Sequence, residues 1–283
     1  MAINPITQRL ILIPSLILLT SCSYIPYVTA PKKIPVQFAI NANALFTNDQ
    51  YSQLLAQYVD DKGLVNYEQL QKNRQPLDLY YAQLAAVTPQ AYKSWSAKEQ
   101  LAFLMNAYNA LTLLSIVDQT PLKPSIRDIP GVWDARAFQV ANQTHTLNNI
   151  EHDTIRPTFN EPRIHAALVC AAMSCPPLRK EPYSAAKLDQ QLDDQVRKWL
   201  ANPDSGFRID RQQNKVYLSK IFDWYGDDWK PQFTVENQFN GDQKQRAVLN
   251  FISSYLGPED QAYLKTGKYQ VNYLDYDWSL NRQ

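Results

Sequence analysis

The 283-residue chain contains only 7 glycines, 3 cysteines and 3 histidines. The glycines stand far apart, at 63, 131, 206, 226, 241, 257 and 267, so there is no G-x-G-x-x-G, no P-loop and no G-x-S-x-G. Those motifs need glycine where backbone must approach a phosphate closely or turn sharply. Their absence argues against dinucleotide enzymes of the common type, Walker-type ATPases and α/β-hydrolases. The formal net charge is +1 and no basic run exceeds a pair such as Lys32-Lys33. Nucleic acid is therefore not expected as a partner, because that binding needs clustered cations to displace counterions. No two histidines stand four apart and no C-x-x-C occurs, so neither zinc nor any other cofactor is expected. What is present is 45% hydrophobic and 19% charged residues, the profile of a water-soluble globular protein.

The N-terminus gives an address. One cation, Arg9, precedes a short apolar stretch from Leu10 to Leu19 that contains Pro14 and is too short for a stable transmembrane anchor. It reads as a signal peptide over residues 1–21. Leu19-Thr20-Ser21-Cys22 resembles the bacterial lipobox, which predicts lipidation of Cys22 and a membrane-anchored protein. Acylation with more than one chain is enough for stable anchoring. Ser23 is not the Asp associated with inner-membrane retention, so by resemblance the outer membrane, facing the periplasm, is favoured. Cleavage removes only Arg9 among the charges, which leaves acids and bases equal in number. Residues 22–37, with three prolines and no amphipathic period, read as a lipidated tether, and 38–283 as a single globular domain.

Within that domain, Asp49–Val59 and Leu77–Val87 carry apolar residues at helical spacing. Ser96 and Glu99 form a capping-box pattern before Glu99–Val117, a segment apolar nearly all round and so predicted to be a buried central helix. Asn106 and Asn109 interrupt it side by side on one face. Hairpins are predicted at 138–147 and 207–218, a buried strand at Ile164–Val169, and a strand at 269–273. Leu147–Arg156, Ser184–Leu200 and Gln243–Leu256 read as further helices. The expected class is α+β, mainly helical, with the central helix packed on a small antiparallel sheet.

With Cys22 assigned to lipid, Cys170 and Cys175 remain for chemistry. Two readings stand open. One is a short structural disulfide, which an oxidising periplasm allows but which two cysteines five apart in one helix would not form. The other is a nucleophilic thiolate activated by a histidine. On a continuous strand His165 and Cys170 would face opposite sides, whereas Cys175 lies beyond the strand end. His152, on the face of a helix shared with Arg156, is the other candidate base, with Asn106 or Asn109 to orient it. The third histidine, His145, falls in the first hairpin. Ile221–Trp229 sets aromatics beside Asp223, Asp227 and Asp228, a pattern met on sugar-binding surfaces and more often in aromatic cores with an acidic turn.

Leu104-Met-Asn-Ala-Tyr-Asn-Ala-Leu, Ser125-Ile-Arg-Asp-Ile, Ile150-Glu-His-Asp-Thr-Ile-Arg, Pro162-Arg-Ile-His-Ala-Ala-Leu-Val-Cys with Ser174-Cys-Pro-Pro-Leu, and Tyr276-Asp-Trp-Ser-Leu-Asn resemble successive blocks of the family called domain of unknown function 547. The resemblance runs from about Tyr51 to Asn281. It brings no assigned activity. It does imply relatives in both bacterial envelopes and plant cells, so a disulfide is not the only purpose expected of the cysteine pair. Two functions follow as expectations. The first is a thiol-dependent hydrolase or acyl transferase acting on amide bonds of peptide or peptidoglycan, with Cys175 or Cys170 as nucleophile, His152 or His165 as base and Asn106 as orienter. The second is a non-catalytic module binding a glycan or partner protein at the membrane.

Overall fold

The computed structural model describes residues 28–33 and 46–283. The signal segment, the lipidation candidate Cys22 and the expected start of the domain at residue 38 lie outside the described residues. The helical first half comprises α1 (Asp49–Tyr58), α2 (Tyr67–Lys72), α3 (Gln75–Ala86), α4 (Pro89–Ser94) and α5 (Ala97–Val117). The Ser96 hydroxyl accepts the Glu99 N–H, and the Glu99 carboxylate accepts the Ser96 N–H at 2.7 Å, which closes the capping box that starts α5. Every residue from Leu101 to Val117 is buried. Length and composition would let α5 cross a membrane, but here it is the enclosed core helix of the fold. Its polar residues are satisfied within the core: the Thr112 and Ser115 hydroxyls donate to carbonyls four residues back.

Downstream, β1 (Phe138–Val140) and β2 (Gln143–His145) form an antiparallel hairpin. A π-helical turn over Asn149–Ile155 leads into α6 (Arg156–Phe159), and α7 (Leu188–Leu200) buries Leu188, Leu192, Val196 and Trp199 along one stripe. A second hairpin, β3 (Phe207–Asp210) with β4 (Lys215–Leu218), is followed by α8 (Lys220–Tyr225), α9 (Lys230–Phe233), α10 (Gln243–Ser253), α11 (Pro258–Lys265) and β5 (Gln270–Tyr273). Strand β5 pairs parallel to β4, with Val216 opposite Val271, so the three-stranded sheet is mixed and only the two-stranded one is purely antiparallel. The protein is α+β and mainly helical. The principal neighbours of α5 are α2, α3 and the π-helical turn, so the central helix is seated in helices, and the three-stranded sheet belongs to a separate cluster.

Two apolar clusters result. The first surrounds α5 and the second is built on Trp199, Phe222, Trp229 and Phe251. Residues 162–178 thread between them. The strand expected at Ile164–Val169 is instead a 3-10 helix over Pro162–Ala166 followed by a turn. Pro162 fixes the first-turn φ, Glu161 accepts the Arg163 N–H, and the Ile164 carbonyl takes the Ala167 and Leu168 N–H groups. A short buried apolar run has no period that separates these alternatives.

Residues 28–33, inside the stretch read as tether, lie against the body. Thr29 and Lys32 donate backbone N–H groups to Ala135 and Ala137, and the Lys32 ammonium joins Arg74 and Arg136 around the Asp118 carboxylate at the end of α5.

Candidate functional site: a cavity between the two cores

A cavity of about 430 Å³ opens where the clusters meet. Helix α5 contributes Tyr108, the π-helical turn contributes Glu151 and His152, the threading segment His165, Leu168, Cys170 and Cys175, and α8 Trp224 and Tyr225. The C-terminal segment adds Tyr276 and Trp278. That segment is strapped to the cysteine loop by N–H donors from Met173 to Ser279 and from Asn281 to Ala171, and the Asp277 N–H is held by Ser174 Oγ at 2.9 Å. Gly63 permits the approach of a neighbouring turn, since a Cβ there would fall 2.5 Å from the Pro177 side chain, and its φ of +78° suits glycine.

Four of the five candidates read from the sequence, His152, His165, Cys170 and Cys175, line this one cavity. With the 164–169 strand replaced by a helical turn, the parity that set His165 and Cys170 on opposite faces does not apply. Asn106 is placed elsewhere. Its amide bonds the Tyr183 backbone in both directions, at 2.8 and 2.9 Å, so it orients no imidazole. Asn109 likewise clamps Ala167 and Val169, fixing the approach to Cys170. His145 lies on β2, away from the cavity lining.

Cys170 and Cys175 are joined as a disulfide with Cα atoms 6.2 Å apart, within the usual span. The intervening residues form a turn, with Ala171 at φ +59°, and so the objection that applies to a helix is removed. Cys170 is half-buried and Cys175 buried. The Cys170 N–H donates to Cys175 Sγ at 3.1 Å, and the Tyr276 hydroxyl stands 3.1 and 3.2 Å from the two sulfurs. In this state no free thiol faces the cavity among the described residues.

The orienting group for His165 is Asp228, whose Oδ2 accepts from Nε2 at 2.7 Å. Arg156 binds the same carboxylate through two N–H groups at 2.7 and 2.8 Å. A third Arg156 N–H meets His152 Nδ1 at 3.1 Å; arginine only donates, so this Nδ1 accepts and the proton of neutral His152 sits on Nε2. Both imidazoles are thus tied through one Arg–Asp pair. Burial opposes the charge on Asp228, but the hydrogen bonds from His165 and Arg156 outweigh it and hold the carboxyl well below its usual range. His165 stacks on Tyr225 with ring centres 4.7 Å apart.

Aromatic rings dominate the remaining wall. Trp278 packs edge-on to Trp133 at 6.0 Å, stacks with Trp224 at 5.8 Å, and meets Tyr276 at 4.6 Å, while Arg127 lies over its ring. Trp224 is 42% exposed at the rim. Burial pushes the Tyr225 phenol up to about 12 and raises those of Tyr108 and Tyr276 further, so all three remain hydroxyl donors near neutrality. Asp134, Asn148 and Glu151 supply acceptors. Among the described residues no group of three or more His, Cys, Asp or Glu side chains could hold a metal ion.

Sequence reading missed Asp228 as a partner of His165, and Tyr276 as a partner of the sulfurs. Each was visible only inside a longer motif, the acidic turn 221–229 and the block starting at Tyr276.

The fold and cavity define a mainly helical α+β protein with a cystine and an aromatic wall at the seam between two cores. Residues 92–200 match the family described as "Protein of unknown function, DUF547". The match covers α5, the π-helical turn, the cysteine loop and α7, whereas Asp228, Trp224, Tyr276 and Trp278 lie beyond it. No curated protein and no solved structure matches the chain.

Proposed function

We propose that this chain is a lipid-anchored protein of the bacterial envelope, probing the periplasm from the outer membrane, whose cavity binds a glycan. The observation that carries the reading is the contiguous array of Trp133, Trp278, Trp224 and Tyr276 along a cavity that also presents Glu151, Asp134 and Asn148. Sugar rings have apolar C–H faces and hydroxyl edges. Aromatic faces match the former and a few fixed polar groups the latter, the usual division of labour in a small-molecule pocket. The joined sulfurs favour binding over thiol hydrolysis, which needs a thiolate. The test is titration with oligosaccharides of N-acetylglucosamine, followed by tryptophan fluorescence. Saturable binding is expected, weakened about tenfold or more in Trp224→Ala, on the order of one well-placed aromatic contact. No response at any chain length would remove the glycan reading.

A second reading, the thiol-dependent hydrolase or acyl transferase, is favoured by His165, which is held by Asp228 and lines the cavity together with Cys170 and Cys175. A carboxylate-oriented imidazole is the arrangement by which a neighbouring thiol is activated. This reading requires the reduced pair. Amide hydrolysis that appears on reduction and is lost in both Cys175→Ala and His165→Ala would favour it over pure binding.

A further inference from the structure

We propose that the Cys170–Cys175 disulfide is an exchange site for small dithiols, opened in the folded protein by attack at Cys170 with Cys175 as the leaving sulfur. Three observations carry this. First, both sulfurs line an open cavity, and Cys170 is the more exposed while Cys175 is only 6% exposed. Second, the donors are unequally shared. A joined sulfur carries no hydrogen, so in the contacts at 3.1 and 3.2 Å the Tyr276 hydroxyl must be the donor, and Cys175 Sγ receives in addition the Cys170 N–H at 3.1 Å. A thiolate formed at Cys175 therefore meets two donors already in place, one from backbone and one from a phenol that burial keeps protonated. Third, the loop does not depend on the bond. Backbone hydrogen bonds from Met173, Ser174 and Asn281 strap it to the C-terminal segment, and Asn109 fixes its approach. A five-residue separation also closes too small a ring for a large stabilisation of the unfolded-state kind.

The step balances as follows. A thiolate of the dithiol, having given its proton to solvent, attacks Cys170 Sγ and forms a mixed disulfide. The Cys170–Cys175 bond breaks and its electron pair stays on Cys175 Sγ, which later takes a proton from solvent. The second thiol of the reductant loses its proton and attacks its own sulfur in the mixed disulfide, and Cys170 leaves as a thiolate that is protonated in turn. The dithiol is oxidised to a disulfide by two electrons, and the protein gains two thiols. The proposal does not rest on glycan binding, and it is read without any sugar present.

The experiment treats the full chain, folded and near neutral pH, with dithiothreitol, stops the reaction with iodoacetamide and counts alkylated cysteines by mass spectrometry. In parallel, glutathione as a monothiol marks the attacked sulfur by peptide mapping. Reduction without unfolding, a glutathione adduct on Cys170, and a reduction rate about tenfold lower in Tyr276→Phe are expected, the last being the order of one hydrogen bond to a developing charge. In guanidinium the variant and wild type should reduce at the same rate, which separates an effect on the leaving sulfur from general damage. A disulfide that resists dithiothreitol until the chain unfolds, or an adduct on Cys175, would overturn the proposal. The adduct position needs no variant, so a Tyr276→Phe chain that fails to fold leaves the test intact.

Discussion

Asp228 stands behind the polar side of the cavity and fixes it through His165 and Arg156. Its carboxylate holds His165 directly and reaches His152 through Arg156, so one substitution loosens both imidazoles. Because its folded-state carboxyl lies below the ordinary value of 3.8, the stability it contributes is fully present above that value and fades as the pH falls from there toward the folded-state value. Asp228→Asn should therefore lower the urea midpoint at pH 7, by about 1–3 kcal/mol in stability, and shrink the gap between variant and wild type in strong acid. An equal gap at both pH values would show that the charge is not what matters. His152, His165, Cys170 and Cys175 were legible in the sequence because histidine and cysteine are scarce and few pairings exist. Asp228 was not: it lies 63 residues from His165 within an acid-rich turn, and nothing local marks one of several carboxylates as the partner. Asn106 misled for a related reason. A buried amide on a core helix has backbone to satisfy, and the carbonyl and N–H of Tyr183 supplied it.

Among the elements, α5 was the most legible, because its capping box and all-round apolar composition are local properties that tertiary contacts only reinforce. Leu104→Ala should open a cavity in its surroundings and cost on the order of 2–5 kcal/mol, seen as a lower melting temperature. A melting curve matching wild type would show that the helix is not closely packed. The segment 162–178 was illegible at the same level. Its apolar run suits a buried strand or a buried turn equally, and the deciding interactions, Pro162 at the first turn and the Asn109 clamp, are partly long-range. The spacing over Leu147–Arg156 predicts a helix, but a π turn and an α turn share too much periodicity to be told apart over seven residues. The parallel pairing of β5 joins distant residues, and strand alternation says nothing about direction.

At the scale of the whole molecule, the proposed anchor and the docked residues 28–33 constrain each other. From Cys22 to Val28 the chain reaches at most about 21 Å, so lipidation at Cys22 would hold the body close to the membrane surface. Cys22→Ala should abolish both lipid labelling and signal cleavage. A variant with unchanged mass and unchanged detergent partition would end the lipoprotein reading. The cavity, formed where two cores meet, was not legible as a whole. The sequence offered its thiols, imidazoles and aromatic cluster separately, and only the return of the C-terminal segment to the cysteine loop joins them. The most direct measurement of the glycan reading is the NMR signal of the indole N–H groups during titration with an N-acetylglucosamine oligosaccharide. Trp133, Trp224 and Trp278 should shift with increasing ligand, while Trp199, enclosed in the second core, and Trp95, packed against Phe46 and Phe103, stay fixed. Unmoved cavity tryptophans at saturating sugar, or shifts confined to Trp95, would contradict it.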